Sequence, residues 1–247
     1  MAQAGTATGA AAPDRAAGGR GTMIEELLPQ TVVAVEAFGD EGVDAPLYPE
    51  EEALVARAVA KRRREFTAVR SCARRAMVKL GVPAGPVLPG ERGAPVWPDG
   101  VAGSMTHCRG YCAAALVRAA DLASLGIDAE PHAPLPEGVL SAVALPQEAE
   151  RIGRLAGELP SVHWDRLLFS AKESVYKAWF PLTGKWLDFL EADLDLFPDP
   201  GEQGRGGFRA TLLVPGPRVG GRVVDRFTGR WIADGGLIAT AIAVPHS

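Results

Sequence analysis

The chain of 247 residues has few cysteines, few aromatic residues, little net charge and no long apolar run. Three cysteines are too few, and odd in number, for the disulfide framework of a secreted protein, so we expect a reducing cytoplasm. A net charge of −4 gives no overall attraction to nucleic acid or to an anionic membrane. Because no stretch of about 18 apolar residues is present, a membrane-spanning helix is excluded.

The remaining composition is that of a globular protein, with 47% hydrophobic and 23% charged residues. The Ala/Gly-rich residues 1–22 are predicted to be a disordered tail, and Met23 opens more protein-like sequence as an alternative start. The stretch HCRGYC, residues 107–112, offers two thiols and an imidazole, but no second Cys/His pair exists to complete a zinc site. Free thiols are therefore favoured over zinc.

Apolar residues recur at helical spacing over residues 49–81 and again over about 164–180, and Gly-led apolar strands follow both segments. Residues 65–81 and 168–184 also share four identical positions in seventeen. The pattern predicts an α+β chain of two pseudo-duplicated lobes, each with a mostly antiparallel sheet packed on a long helix. We place the lobes at residues 23–126 and 127–247, with a ligand site between them.

The segment FSAKESVYKAWF, residues 169–180, is an apolar helix that nevertheless carries Lys172, Glu173 and Lys177. An ion pair between Glu173 and Lys177, one turn apart, is the simple structural explanation. That explanation accounts for only one of the two lysines.

A second acidic feature is GIDAE, in which Asp128 and Glu130 follow an apolar run. On a strand, two residues at this spacing share one face, and their mutual repulsion has to be neutralised. The alternatives are a solvated strand end and a site for a hard divalent cation such as magnesium.

Three further groups are ambiguous when each is taken alone. GSMTHC supplies Ser104, Thr106 and His107 as possible phosphate donors, although a single histidine is more often structural. Arg62 and Arg70 lie on a basic helix face that is most simply a solvated surface.

In this order, however, four segments of the chain resemble one family. They are KRRREFTAVRSCAR, GAPVWPDGVAGSMTHCRGYCAA, LGIDAEP and FSAKESVYKAWFPLTGKWLDF. The sequence is similar to the phosphopantetheinyl transferases of the surfactin-synthetase and enterobactin-synthetase type, and most of all to the actinobacterial members. The resemblance implies transfer of the 4′-phosphopantetheine arm of coenzyme A to a carrier-protein serine, with release of adenosine 3′,5′-bisphosphate.

The resemblance also implies roles for individual residues. Magnesium, or manganese in its place, would be bound by Asp128, Glu130 and Glu173. Glu173 and Lys177 would be catalytic, with Glu173 as the base. The implied coenzyme A contacts are Arg62, Arg70, Ser104, Thr106, His107, Asp128, Lys172 and Lys177.

One position departs from the pattern of some relatives, because Pro89 stands where they have a lysine. Arg92 is the nearest basic substitute and is included among the predicted coenzyme A contacts.

The implied partners are acyl and peptidyl carrier proteins of fatty-acid, polyketide and nonribosomal peptide systems, including antibiotic biosynthesis. Apolar residues between Leu140 and Leu155 are expected to contribute to docking, and a monomer is expected. Nucleic acid and membranes are not expected as partners. Two other functions stay open: a magnesium-dependent pyrophosphohydrolase acting on coenzyme A or a nucleotide, and a non-catalytic coenzyme A-binding protein.

Overall fold

The computed structural model describes residues 22–246. The predicted tail, residues 1–22, therefore lies outside the described residues except for Thr22. Among residues 22–246, no helix is both long enough and apolar enough to cross a membrane.

The described chain alternates helices with antiparallel strands. The helices are α1 Met23–Glu26, α2 Pro49–Val55, α3 Ala60–Lys79, α4 Val139–Val143, α5 Pro146–Glu158 and α6 Trp164–Thr183. The strands are β1 Val33–Phe38, β2 Val101–Cys108, β3 Tyr111–Arg118, β4 Ser124–Pro131, β5 Ala192–Pro198, β6 Arg205–Leu212, β7 Arg218–Val219, β8 Arg222–Val223, β9 Arg226–Asp234 and β10 Leu237–Val244. Short 3-10 helices span Glu91–Gly93 and Phe189–Glu191.

Two antiparallel sheets organise these elements. The first has the strand order β1-β3-β2, and the second has the order β4-β10-β9-β6-β5. Helix α3 packs on the first sheet and α6 on the second, and each of these helices has 20 residues. Each helix is followed by a glycine in the left-handed region, Gly81 and Gly184, where a side chain would be strained. The predicted α+β fold of two lobes, each a sheet packed on a long helix, is confirmed.

The change of lobe comes slightly earlier than the predicted boundary after residue 126. Strand β4 begins at Ser124 and pairs with β10 of the second sheet along its whole length. Residues 124–126 therefore belong with the second lobe.

The two sheets meet where β2 lies beside β4, and side chains connect them. The Ser104 hydroxyl accepts a hydrogen bond from the backbone N–H of Ile127 at 3.1 Å. The Thr106 hydroxyl accepts one from the backbone N–H of Ala129 at 3.0 Å. Both hydroxyl residues are buried, so these bonds satisfy backbone groups that no water reaches.

Apolar side chains form one core under α3 and another under α6. A third apolar cluster fills the space between the lobes. Small residues let the strands approach closely there, and alanines of β3 and β10 pack with Leu125 and Ile127 of β4. The shared core makes the interlobe junction part of the folded unit, which gives a cleft at that junction rigid walls.

Gly126 is the position at which β4 approaches α6 most closely. A Cβ atom built there would lie 2.0 Å from the carbonyl oxygen of Ser174, which is far inside van der Waals contact. Only a residue without a side chain allows the helix to pack this close to the strand.

We expect Gly126→Ala to reduce the free energy of unfolding by about 3 kcal/mol, because the helix has to move away from the strand. The matched control is Gly153→Ala in α5, where the added methyl group meets no atom within 4 Å. That change should be neutral or stabilising by up to ~1 kcal/mol. Urea denaturation of both variants checks the prediction, and equal stabilities would contradict the close packing.

Candidate active site

A cleft of about 690 Å³ lies between the lobes. This volume falls within the ~300–1,000 Å³ typical of small-molecule sites. Strand β2, helix α3, the loop around Arg92 and helix α6 contribute side chains to its walls. The predicted site residues that line it are Arg62, Arg70, Arg92, Ser104, Thr106, His107, Asp128, Glu173 and Lys177.

Asp128 is the most connected of these residues. Its Oδ1 accepts hydrogen bonds from Lys177 Nζ at 2.7 Å and from Thr106 Oγ1 at 3.2 Å. Its Oδ2 accepts one from Ser170 Oγ at 2.8 Å. The carboxylate is only 5% exposed, yet Lys177 balances its charge and two hydroxyls donate to it.

Lys177 therefore binds Asp128, and also the carbonyl oxygen of Ile127 at 3.1 Å. The ion pair expected between Lys177 and Glu173 is absent from the described ion pairs, so that structural explanation is wrong. The reason is that Lys177 reaches across to β4, where a buried carboxylate needs a counterion more than a half-buried one does.

Glu173 lines the same cleft without a fixed partner. Its carboxylate makes no hydrogen bond or ion pair with any residue in the range 22–246. Burial raises the pKa of Glu173, the charge of Asp128 raises it further, and Lys177 opposes the increase. A carboxylate with a raised pKa and free oxygens, facing a cleft, is suited to accept a proton or to bind a cation.

Glu130 has a different environment from the other two acids. Arg166 Nη1 donates to Glu130 Oε2 at 2.9 Å, and Glu130 is not among the residues that line the cleft. Burial raises the pKa of Glu130 and the neighbouring Asp128 adds to the increase, while Arg166 lowers it.

The basic end of the cleft contains Arg62, Arg70 and His107. Arg62 Nη1 lies 3.1 Å from His107 Nε2, and since Arg62 can only donate, that ring nitrogen is the acceptor. Partial burial lowers the pKa of His107, which favours the neutral ring that this bond requires. Arg70 is buried beside Glu51, and burial lowers the pKa of Arg70 to about 10. Arg62 is the exposed cation of the two and Arg70 the buried one.

Arg92 also lines the cleft, at the tip of the loop that begins with Pro89. It is the only non-glycine residue among residues 22–246 with a positive φ, 53°. Its guanidinium lies 5.7 Å from the ring centre of Trp186. The loop thus projects Arg92 into the cleft from the first lobe, although Pro89 itself carries no charge.

One predicted contact needs correction. Lys172 lies in the core of the second lobe, 3% exposed, and its Nζ lies 2.8 Å from Glu148 and donates to the carbonyl oxygen of Ala192. An ammonium with these partners does not reach a phosphate in the cleft. The hydroxyls of Ser104 and Thr106 accept backbone N–H groups of β4 and so position that strand, while both residues still line the cleft as predicted.

A metal can be accommodated by these residues only after local rearrangement. Across residues 22–246, no group of three or more His, Cys, Asp and Glu side chains is arranged to bind a metal ion. The Glu130 carboxylate is paired with Arg166, and the Asp128 carboxylate is paired with Lys177. The donor chemistry nevertheless fits a hard cation, since three carboxylates lie on facing elements and Asp128 raises the pKa of both others.

Sequence reasoning did not identify Arg166 and Ser170, the residues that complete this arrangement. Together with Glu173 and Lys177 they stand at positions i, i+4, i+7 and i+11 of α6 and form one stripe of the helix. Polar residues at that spacing within an apolar helix are the signal that could have identified them.

A smaller slot of about 120 Å³ opens beside Glu173 on the side of the second lobe. Its walls combine aromatic and aliphatic side chains with a few polar groups. Tyr176 and Trp186 lie with ring centres 5.0 Å apart at this slot. The slot is lined by Lys172, Glu173, Val175, Tyr176, Trp186, Leu187, Asp188, Phe189 and Ala192.

We expect Lys172→Met to lower the free energy of unfolding by about 3–5 kcal/mol, because Glu148 is left as an unpaired buried charge. The affinity of the folded variant for coenzyme A should stay unchanged. The control is Lys79→Met on the exposed end of α3. Thermal unfolding and calorimetric titration check both points, and a variant of normal stability with weaker coenzyme A binding would restore Lys172 to the site.

Comparison with known proteins agrees with this arrangement. Residues 50–117 match the family model described as 4'-phosphopantetheinyl transferase N-terminal domain. Residues 124–213 match the model of the 4'-phosphopantetheinyl transferase superfamily. The gap between the two matches coincides with the change of lobe before β4.

Curated relatives extend over nearly the whole chain. The 4'-phosphopantetheinyl transferase Svp of Streptomyces mobaraensis is 62% identical over 90% of this chain and 89% of its own length. Npt of Nocardia iowensis is 49% identical over 90% of this chain and 99% of its own. PptT of Mycobacterium tuberculosis is 46% identical over 91% of this chain and 99% of its own.

The predicted resemblance, including its actinobacterial character, is thereby confirmed. Enzymes of this family transfer the phosphopantetheine group to carrier proteins, use coenzyme A as substrate and depend on a metal ion. The chain is a transferase and belongs to the 4'-phosphopantetheinyl transferase superfamily.

Proposed function

We propose that the interlobe cleft binds coenzyme A and that its phosphopantetheine arm is transferred there to the serine hydroxyl of a carrier protein. One observation carries the proposal. The buried Asp128–Lys177 pair lies in the same cleft as Glu173, whose carboxylate is uncommitted. An acid, a cation and a free base around one cavity are the groups that phosphoryl-type transfer requires.

The nucleotide end of coenzyme A is assigned to the basic end of the cleft. Arg62 is exposed and bound only to His107, so its guanidinium is available to the 3′-phosphate. Arg70 is largely committed to Glu51 and to the carbonyl oxygen of Val87, so it contributes mainly a fixed positive charge. Arg92 lines the same cleft and would contact the same ligand.

Asp128, Glu130 and Glu173 are the residues that would bind a divalent cation, which we take to be Mg²⁺, with Mn²⁺ as a substitute. When bound, such a cation neutralises charge on pyrophosphate oxygens as the bond to the leaving phosphate breaks. Carboxylate ligands together with substrate phosphates are the usual environment of magnesium.

The protein's own part in the reaction is proton transfer and alignment. Glu173 accepts the proton of the carrier serine as that oxygen bonds to the β-phosphorus and the anhydride bond breaks. The leaving group is adenosine 3′,5′-bisphosphate, and Lys177 neutralises its new charge. A positioned base of this kind contributes typically about 10²–10⁴-fold to the rate.

The slot beside Glu173 suits the pantetheine arm. It adjoins the proposed reacting centre, and its walls of Tyr176, Trp186 and Phe189 present apolar surface to a flexible chain. The small volume of the slot would favour an extended thiol arm over a bulky group.

The proposed partners are acyl and peptidyl carrier proteins of fatty-acid, polyketide and nonribosomal peptide systems. Leu140 and Leu155 pack partly against the core of the second lobe, and both keep some exposed surface for docking. The cleft is built by one chain, which supports action as a monomer. Unpaired thiols at Cys72, Cys108 and Cys112 support a cytoplasmic location.

The two alternative functions use the same cleft and are distinguished by product. A pyrophosphohydrolase releases free phosphopantetheine, and a coenzyme A-binding protein leaves coenzyme A intact. The family relationship favours phosphopantetheine transfer over both alternatives. Mass spectrometry of an apo carrier protein after incubation with the enzyme, coenzyme A and MgCl₂ separates all three outcomes.

In this assay we expect the carrier serine to gain one phosphopantetheine group. Glu173→Gln should lower the rate of gain by about 10²–10⁴-fold, since the amide cannot accept the proton. The matched control is Glu50→Gln in the first turn of α2, an exposed position outside the proposed docking segment, which should retain the full rate. Free phosphopantetheine without a modified carrier would overturn the proposal, and an unaffected Glu173→Gln would overturn the assignment of the base.

The transfer rate should also fall as the pH decreases. This fall should begin at a higher pH than it would for a base with the pKa of an ordinary carboxylate. Burial raises the pKa of Glu173 above its usual 4.5, and the base works only when it is deprotonated. Lys177→Met removes the charge that lowers this pKa, so the acidic limb should move to still higher pH. Lys79→Met is the control. Profiles of kcat/KM against pH, which report groups of the free enzyme, check the shift, and superimposable acidic limbs would contradict it.

A further inference from the structure

Side chains on one stripe of α6 contact the acidic residues of β4. Arg166 pairs with Glu130, Ser170 donates to Asp128, and Lys177 binds Asp128 and the carbonyl oxygen of Ile127. Glu173 lies within this stripe. Every member except Arg166 already has a place in the proposed chemistry or in the binding of Asp128.

Arg166 is fixed more firmly than a surface arginine. Its Nε donates to the carbonyl oxygen of Ala133 at 3.1 Å, and its Nη2 donates to that of Pro134 at 2.9 Å. The third donor, Nη1, contacts Glu130 Oε2 at 2.9 Å. The side chain is 15% exposed, so three bonds in different directions determine its orientation.

The residue before it secures the same segment. Asp165 Oδ2 accepts the backbone N–H of Leu135 at 2.8 Å, and its Oδ1 accepts that of Arg166. The start of α6 thus binds the chain that follows β4 at three points besides Glu130. Because Arg166 is bound to this segment, it cannot follow Glu130 toward the cleft without breaking bonds to Ala133 and Pro134.

We propose that Arg166 is a positioning residue that keeps Oε2 of Glu130 engaged and leaves one oxygen of that carboxylate for a cation, so that the site favours Mg²⁺ over Ca²⁺. The inference rests on the proposed function, in which Glu130 belongs to the cation site.

The selectivity follows from coordination chemistry. Calcium takes six to eight oxygens and commonly uses both oxygens of a carboxylate, whereas magnesium requires a small octahedron and takes single oxygens and water. When only one oxygen of the carboxylate is available, calcium loses a ligand that it would use, and the coordination of magnesium is unaffected. Because the two ions carry the same charge, the ratio of their affinities reports this geometry and cancels the effect of net charge.

The test is calorimetric titration of the coenzyme A-saturated protein with MgCl₂ and with CaCl₂. For Arg166→Met we expect the ratio of calcium to magnesium affinity to increase by about tenfold, as an additional carboxylate oxygen becomes available. Arg166→Lys retains a charged donor for Glu130 and should keep a ratio close to that of the unmodified protein. In a Glu130→Gln background, the Arg166→Met change should leave the ratio unaltered, because an amide has only one oxygen.

An unchanged ratio in folded Arg166→Met overturns this inference and leaves the proposed function intact. An unmodified protein that binds neither cation overturns the cation site and the inference with it. If Arg166→Met does not fold, a crystal structure of the unmodified protein with coenzyme A and Mn²⁺ decides the point. One Glu130 oxygen on the metal, with Arg166 still bound to the other, supports the proposal, and two oxygens on the metal contradict it.

Discussion

The Asp128 carboxylate is the constraint on which both the junction of the lobes and the site depend. It is buried, and its charge is balanced by Lys177 from α6 while Thr106 donates to it from β2. Removing any one partner would leave a buried charge or an unsatisfied donor, which is costly in a low-dielectric interior. The position of α6 relative to the two sheets is therefore determined largely by what Asp128 requires. The same requirement brings Lys177 into the cleft.

The two lobes have related architectures and different chemistry. Helices α3 and α6 have equal length and pack on antiparallel sheets, and Arg70 of the first occupies the register of Glu173 in the second. In the first lobe this position carries a buried cation beside Glu51. In the second it carries an unpaired acid. A duplicated frame of this kind can divide binding and proton transfer between its halves, since each half contributes one wall of the cleft.

Much of this could be predicted from the sequence. Helical periodicity predicted both long helices, and the acidic spacing identified Asp128 and Glu130. Side-chain partners were harder to predict, because they depend on which buried group lacks a counterion. Lys172 was expected at a phosphate, but Glu148, 24 residues away in the sequence, captures it in the core. The bonds from Arg166 to Glu130 likewise depend on the path of the loop after β4, which no local pattern describes.

In the proposed function, one interlobe cleft brings together the acids, Lys177 and the coenzyme A pyrophosphate. A crystal structure with coenzyme A and Mg²⁺ tests it most directly. We expect the pyrophosphate between β2 and α6, with the cation bound by Asp128 and Glu173 and the 3′-phosphate near Arg62. Coenzyme A bound on another face, or a cation that does not contact Asp128, would contradict it.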